Sequence, residues 1–204
     1  FQYFWGDFGF MDPVSTVTLE KITIYGIMVR FGSPVTIKNL VMRDIATSFK
    51  SYDPVASGIA YLIDADVENW TFEFYEPHTE HIEFHRQYTF NLLVKDSAGD
   101  PINGATVKLT DKDDGEVFSV ATGGDGKIAE QTVSRGYYDQ DHGDTLQEYG
   151  PHKLTITAGG REYIIPKIVL ADPVDWTAML PDLETRTKGS ILVTPRLGNR
   201  RVVW

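Results

Sequence analysis

The apolar positions of this chain fall in short runs rich in Val, Ile, Thr, Phe and Tyr, and Gly, Pro, Asp or Asn closes nearly every run. β-Branched and aromatic side chains suit a pleated, half-buried surface, and the closing residues supply turn geometry. The pattern therefore predicts strands throughout and almost no helix. Two stretches follow different rules. Over residues 1–76 the rule is repetition. Val17–Ile24 reads VTLEKITI, Val35–Met42 reads VTIKNLVM and Ala65–Phe72 reads ADVENWTF. The apolar trios are Leu19, Ile22, Ile24, then Ile37, Leu40, Met42, then Val67, Trp70, Phe72, with Asn39 and Asn69 in one slot. A second register sets Gly26–Val29 against Gly58–Tyr61. Equivalent positions lie 18 and then 30 residues apart. A strand, a bend at a polar residue and another strand, stacked on their own copy one turn later, align the apolar residues into ladders. Asn at the bend can then hydrogen-bond along the stack. The same runs also suit ordinary strands of an antiparallel sheet.

After the polar spacer Glu76–Glu80 the rule becomes alternation with short turns. Tyr88–Lys95, Pro101–Leu109, Val117–Ala121, Lys127–Val133, His152–Ala158 and Arg161–Leu170 are predicted strands. The pair Gly159-Gly160 supplies the positive φ of a hairpin turn. About seven strands result, at the spacing of a two-sheet sandwich.

These residues carry two family resemblances. The repeat resembles the right-handed parallel β-helix proteins of the pectate-lyase-like kind, over about three rungs. Its uneven step requires an insertion such as Thr47–Ser57. The stretch VKDSAGDPINGATVKLTD, then TGGDGKI and YGPHKLTITAGG, resembles the carboxypeptidase regulatory-like, transthyretin-like (Ig-like) β-sandwich domains over about residues 84–180. There Gly104-Ala105 is expected to let the chain pass close to the opposing sheet, and Asp125-Gly126 to form a tight turn. The expected fold is all-β: rungs of a parallel β-helix over 1–76, a linker over 77–83, the sandwich over 84–180 and a strand tail over 181–204. Such modules are scaffolds on many proteins, so this likeness implies a fold rather than a chemistry. A Lys–Asn crosslink occurs in related surface modules. Lys95 sits near the first-strand position for it, but Ile164–Leu170 offers no Asn, which argues against one.

Charge adds an assembly argument. The formal net charge is −10, yet residues 185–204 carry +5 and leave −15 on the remainder. An acidic chain repels phosphates and anionic lipid, so nucleic acid and membrane insertion are poor expectations for partners. No apolar run approaches the roughly 18 residues needed to span a bilayer as a helix. Cysteine is absent, which removes disulfides and thiolate chemistry. The opening FQYFWGDFGF holds six aromatic residues in ten. Leaving them in water is costly, so Phe4, Trp5, Phe8 and Phe10 are expected to pack on an earlier rung or a neighbouring subunit. The basic tail, with Arg196, Arg200, Arg201 and Trp204, is expected to add a strand across a subunit contact.

Candidate chemistry is sparse. Asp139, Asp141 and Asp144 in YYDQDHGDT place hard oxygen ligands around a glycine, a possible calcium loop without the closing bidentate Glu of an EF-hand. A solvated acidic loop explains the same residues, and a plain turn is the better account of Asp111, Asp113 and Asp114. In PHTEHIEFH the three histidines His78, His81 and His85 would share a face on a helix. On a strand only His81, Glu83 and His85 do, as a possible metal set or a polar strand entry. Tyr137, Tyr138, Tyr149 and Trp176 are candidates for an aromatic platform for sugar or protein, with core packing the competing use. Asp44, Asp53, Asp64 and Asp66 flank the rungs near Arg30 and Arg43, but no motif fixes a catalytic carboxylate pair. No nucleophile elbow or phosphate loop appears. No cofactor is expected apart from possible calcium. The expectation is a non-catalytic structural or adhesive building block of a cell surface, extracellular filament or virus particle. Its partners would be copies of itself, neighbouring structural proteins or surface glycans. The alternative is the C-terminal portion of a glycan-processing or glycan-binding β-helix protein.

Overall fold

The computed structural model describes residues 8–10, 17–20, 23–25, 29–31, 35–43, 49–51, 58–74, 81–181 and 192–195, which form strands and turns without a helix. The chain is all-β. It divides into two compact units, Phe1–Tyr88 with Ser134–Glu148, and Thr89–Val133 with Tyr149–Trp204. This differs from the boundaries expected from the sequence. A single strand, Ile82–Lys95, runs through the expected linker end and gives its first half to one unit and its second half to the other. Residues 134–148, expected within the sandwich, belong with the repeats.

In the first unit β1 (Phe8–Phe10), β2 (Val17–Glu20), β3 (Thr23–Tyr25), β4 (Val29–Phe31), β5 (Val35–Lys38), β6 (Val41–Arg43), β7 (Phe49–Ser51), β8 (Gly58–Ile63), β9 (Asp66–Val67), β10 (Phe72–Glu73) and β11 (Ile82–Lys95) follow one another. They visit three sheets in rotation. β1, β4, β7 and β10 form one, β2, β5, β8 and the start of β11 the second, and β3, β6 and β9 the third. Every pairing among these strands is parallel. Val17 lies opposite Val35, so the first step is the expected 18 residues. The next is not. Val35 lies opposite Ala60, a step of 25 residues rather than 30, and Gly58 opposite Ile82 gives 24. Leu62 rather than Val67 therefore stacks on Ile37, and Val67 stacks on Met42. The Gly26 and Gly58 register also fails, because β4 stacks on β7 with Val29 opposite Phe49.

The bend residue explains the slip. Asn39 has φ 58° and Asp64 has φ 53°, the left-handed conformation that a short polar side chain tolerates best after glycine. Their amides continue the stack, Asn39 N–H donating to Ile63 O (2.8 Å) and Asp64 N–H to Gln87 O (3.0 Å). The repeating corner is thus Asn or Asp, and matching Asn39 to Asn69 by identity chose the wrong partner. Replacing Asn39 by Val should cost about 1–2 kcal/mol, because a β-branched residue resists positive φ. Asn39→Gly should stay within about 1 kcal/mol of the parent. Urea midpoints of both variants test this, and equal midpoints would remove the corner argument.

The core of this unit is Ile37, Leu40, Met42, Phe49, Ala60, Leu62, Ala65, Val67, Phe72, Ile82, Phe84 and Tyr138. Alternation in β8 and β11 sends Ala60, Leu62, Ile82 and Phe84 inward. Leu62, Ile82 and Phe84 each contribute about 1.5–3 kcal/mol by burial.

The second unit builds on the second half of β11. Here β12 (Thr106–Thr110), β13 (Glu116–Ala121), β14 (Gln131–Asp139, which continues into the first unit and there pairs with β15, Gln147–Glu148), β16 (His152–Ala158), β17 (Arg161–Ile168), β18 (Val174–Met179) and β19 (Leu192–Pro195) follow. An antiparallel sheet runs β13, β12, β16, β17. Facing it, β18 joins the sheet that holds β11, pairing with β11 in parallel and with β19 antiparallel. Gly159 and Gly160, at φ 55° and 74°, turn β16 into β17 as the sequence predicts. Between the two sheets Phe90 meets Phe118 at 5.5 Å, with Leu92, Val94, Val107, Leu109, Leu154 and Ile156 buried around them. Thr122 is a buried polar tie, its hydroxyl donating to Ile102 O (2.6 Å) and accepting from Ala105 N–H (2.9 Å).

The close approach expected at Gly104 occurs at Gly126 instead. A Cβ on Gly104 would meet nothing within 4 Å, whereas one on Gly126 would sit 2.6 Å from Val94 O. Gly104 is needed only for its φ of 73°. Of the residues expected to drive assembly, Phe8 and Phe10 lie on β1, while Phe4, Trp5, Arg196, Arg200, Arg201 and Trp204 lie outside the described residues.

Candidate functional site

The acidic turns serve the backbone. Asp96 Oδ1 accepts from Ala98 and Asp100 N–H, Asp111 Oδ1 from Asp113 and Gly115 N–H, and Asp125 Oδ1 from Lys127 N–H. These are local side-chain locks on tight turns. The reading of Asp111–Asp114 as a plain turn holds.

In the loop nominated for calcium, two of the three acids have partners within the protein. Asp139 is buried, and its Oδ1 accepts from His142 N–H (2.9 Å) and lies 2.7 Å from His142 Nδ1. Asp144 Oδ1 accepts from Phe72 N–H of β10 at 2.6 Å. Asp141 is exposed. Asp139 and Asp144 thus serve separate contacts, one within the loop and one to β10. Among the described residues no group of three or more His, Asp or Glu is arranged to hold a metal ion. Asp44, Asp53 and His78 lie outside the described residues.

The strand face His81, Glu83, His85 does come together at the start of β11. Glu83 bridges the two rings, with Oε1 3.0 Å from His81 Nε2 and Oε2 2.5 Å from His85 Nε2. Gln140 ties this face to the loop after β14, its Oε1 accepting from Ile82 N–H (3.0 Å) and its Nε2 lying 3.4 Å from His81 Nδ1. His85 is nearly buried and lies between Tyr137 (5.6 Å, stacked) and Tyr61 (5.4 Å). Each imidazole meets the carboxylate through Nε2, so Glu83 joins the two rings. The face acts as a hydrogen-bonded clasp.

The nominated aromatic residues divide between the two units, Tyr137 and Tyr138 in the first and Tyr149 and Trp176 in the second. Tyr138 is a core residue, stacked on Phe72 at 4.1 Å and on Trp70 at 6.1 Å. Its neighbour on β14, Tyr137, packs on His85 instead. Trp176, in the second unit, sets its edge on Phe90 at 5.8 Å. Tyr149, half-buried in that unit, lends its carbonyl to Lys112 N–H at 2.9 Å. The second unit also has a depression of about 30 Å³ lined by Asn91, Lys127, Asp175 and Thr177 among others, room for a water molecule rather than a sugar ring.

A polar cluster that the sequence reading passed over sits at the end of the apolar ladder. In register, Ile37 stacks on Leu62 and Leu62 on Arg86, so a guanidinium occupies an inward slot. Arg86 Cζ lies 4.4 Å over the Trp70 ring, and its Nε–H donates to the Tyr88 hydroxyl at 2.7 Å. The Arg86 guanidinium also acts on the Tyr138 phenol, and Arg135 on the Tyr88 phenol from β14. Arg135 pairs with Glu148 at 3.0 Å, the one carboxylate of this cluster among the described residues. Burial lowers the Arg135 pKa, but the bonds to Glu148 and Tyr88 outweigh it and the net shift is upward. The sequence held one clue, the alternation Phe84, Arg86, Tyr88 with Arg in the apolar phase.

Burial holds the Tyr88 and Tyr138 phenols above their ordinary range, and the nearby guanidiniums offset only part of that. A raised folded-state pKa means that the native protein keeps a proton the unfolded chain releases. The associated stability is therefore complete below about pH 10 and is lost as pH rises through the folded values. Alkaline titration followed by tyrosinate absorbance and circular dichroism should show unfolding coupled to late ionisation. Stability that stays flat through and above that range would contradict it.

No family model matches the chain, and no curated protein matches it in sequence.

Proposed function

We propose that this protein is a non-catalytic structural or adhesive building block, made of right-handed parallel β-helix rungs followed by an Ig-like, transthyretin-like sandwich. The observation that carries this reading is the rotation of successive strands through three parallel sheets. Such a coil is quasi-one-dimensional, and each rung offers its neighbour a full row of backbone donors and acceptors. It suits a rigid element that extends or stacks. Surface presentation on a cell, filament or virus particle follows from this reading, with copies of the chain or neighbouring structural proteins as partners.

The tail enters this reading in a narrower form. β19 pairs with β18 of its own chain, Trp176 opposite Pro195 and Met179 opposite Leu192. Leu192–Pro195 thus extends its own sheet, and strand addition to a neighbour falls to residues 196–204 with their three arginines and Trp204. Removing 196–204 should abolish assembly, measured by light scattering and electron microscopy, while the circular dichroism of the strands persists. Removing 185–204 should in addition uncover the β18 edge and promote aggregation. Normal assembly of the 1–195 protein would sink this reading.

A glycan-binding or glycan-processing role is the second reading, favoured by the row Tyr61, His85, Tyr137 beside Glu83. Aromatic rings next to hydrogen-bonding groups suit sugars. Release of reducing or unsaturated sugars, or retention on a polysaccharide matrix, would support it over the first.

A further inference from the structure

We propose that Arg86 and Arg135 form a receptor for a small oxyanion, a carboxylate or sulfate group, at the end of the apolar ladder of the first unit. This inference is independent of the structural reading above.

The cluster is built before any ligand arrives. The Arg86 guanidinium is fixed on its face by Trp70 (4.4 Å) and on its edge by the Tyr88 hydroxyl (2.7 Å). Arg135 is held by Glu148 (3.0 Å) and reaches the same phenol. A planar, pre-positioned guanidinium loses little freedom on taking a bidentate acid, which favours anion capture. The charge count favours an anion. Among the described residues two permanent cations face one carboxylate, Glu148, and two phenols that are neutral at pH 7 as phenols ordinarily are. Among the described residues no carboxylate pairs with Arg86, which is partly buried among Trp70, Tyr88 and Tyr138. A partly desolvated cation without a counter-charge is costly, and an oxyanion would offset it. Arg86 has donors to spare. Of its five N–H groups the Nε–H goes to Tyr88, which leaves N–H groups of the fork for a ligand.

The full-length protein, labelled for NMR of arginine side chains, would be titrated at constant ionic strength with sodium acetate, sodium sulfate and, as control, sodium chloride. The expected result is a saturable shift of the Arg86 Nε–H signal with acetate or sulfate, and none with chloride. Which of the two saturates first names the acid. Glu148→Gln removes the competing carboxylate and should tighten binding by about threefold. Arg86→Gln should abolish the shift of the Arg135 signal, and Arg86→Lys should restore it only weakly because the fork is lost. Should Arg86→Gln fail to fold, the Glu148→Gln comparison still decides. Absence of a saturable shift in both the parent and Glu148→Gln would overturn the proposal. So would binding that appears only after Glu76→Gln or Glu80→Gln, since the chain itself would then fill the site.

Discussion

Phe72→Ala should destabilise the first unit by about 3–5 kcal/mol, a large part of the stability of an ordinary domain. Phe72 lies opposite Phe49 in the β7–β10 pair and stacks on it at 5.1 Å. It also touches Phe84 at 5.1 Å, Phe74 at 6.3 Å, Trp70 at 6.5 Å and Tyr138 at 4.1 Å. Removing the ring leaves a void that five aromatic neighbours cannot fill without leaving their own contacts, so the cavity term adds to the lost burial. Near-UV circular dichroism should weaken along with the denaturant midpoint. Val169→Ala, at a side chain 68% exposed, is the matched control and should change stability by less than about 0.5 kcal/mol. If the two variants unfold at the same midpoint, the aromatic cluster is not what holds the end of the coil.

Gly126→Ala should cost about 2–5 kcal/mol in the second unit. Part of this is the φ of 75°, which a non-glycine residue adopts at a cost of about 1–2 kcal/mol. The rest is contact. A methyl group would lie 2.6 Å from Val94 O and 2.8 Å from Pro101 Cβ, so β11 or the turn must move, an overpacking cost of about 1–3 kcal/mol. Movement there also strains two bonds that join this turn to β11, Val94 N–H to Gly126 O (2.8 Å) and Ile128 N–H to Leu92 O (3.1 Å). Gly104→Ala separates the two effects. Its φ is 73° but the space around it is open, so it should show the conformational cost alone. Equal losses at the two positions would refute the close approach.

The comparison of Gly104 with Gly126 shows how far turn chemistry can be read from residue types. Gly126 was identifiable as a turn residue, since a Gly after Asp is a common way to reach positive φ, whereas Gly104 was read as the close approach. Which of them also lies against a neighbouring strand depends on how β11 folds over the turn, and nothing in five local residues states that. The same limit governs the candidate sites. YYDQDHGDT has oxygen ligands at suggestive spacing, but Asp144 finds the Phe72 amide, 72 residues away in sequence, and Asp139 turns back to His142. Acids chosen by spacing alone are indistinguishable from acids that lock a backbone. The H-x-E-x-H face fared better because its geometry is local: residues two apart on a strand point the same way.

Sequence by itself determined the all-β class, the hairpin at Gly159-Gly160 and the 18-residue step from Val17 to Val35, since these rest on local propensity and on a period. Tertiary structure alone decided the 25-residue step from Val35 to Ala60. The length of the excursion between two rungs leaves no trace in the apolar pattern, and the left-handed corner accepts Asp64 as readily as an Asn. It also decided that residues 134–148 join the repeats, and that Arg86 takes the ladder position held below it by Ile37 and Leu62. An inward arginine is tolerated only where Trp70, Tyr88 and Tyr138 converge on it from distant parts of the chain, and that convergence is a property of the packed fold.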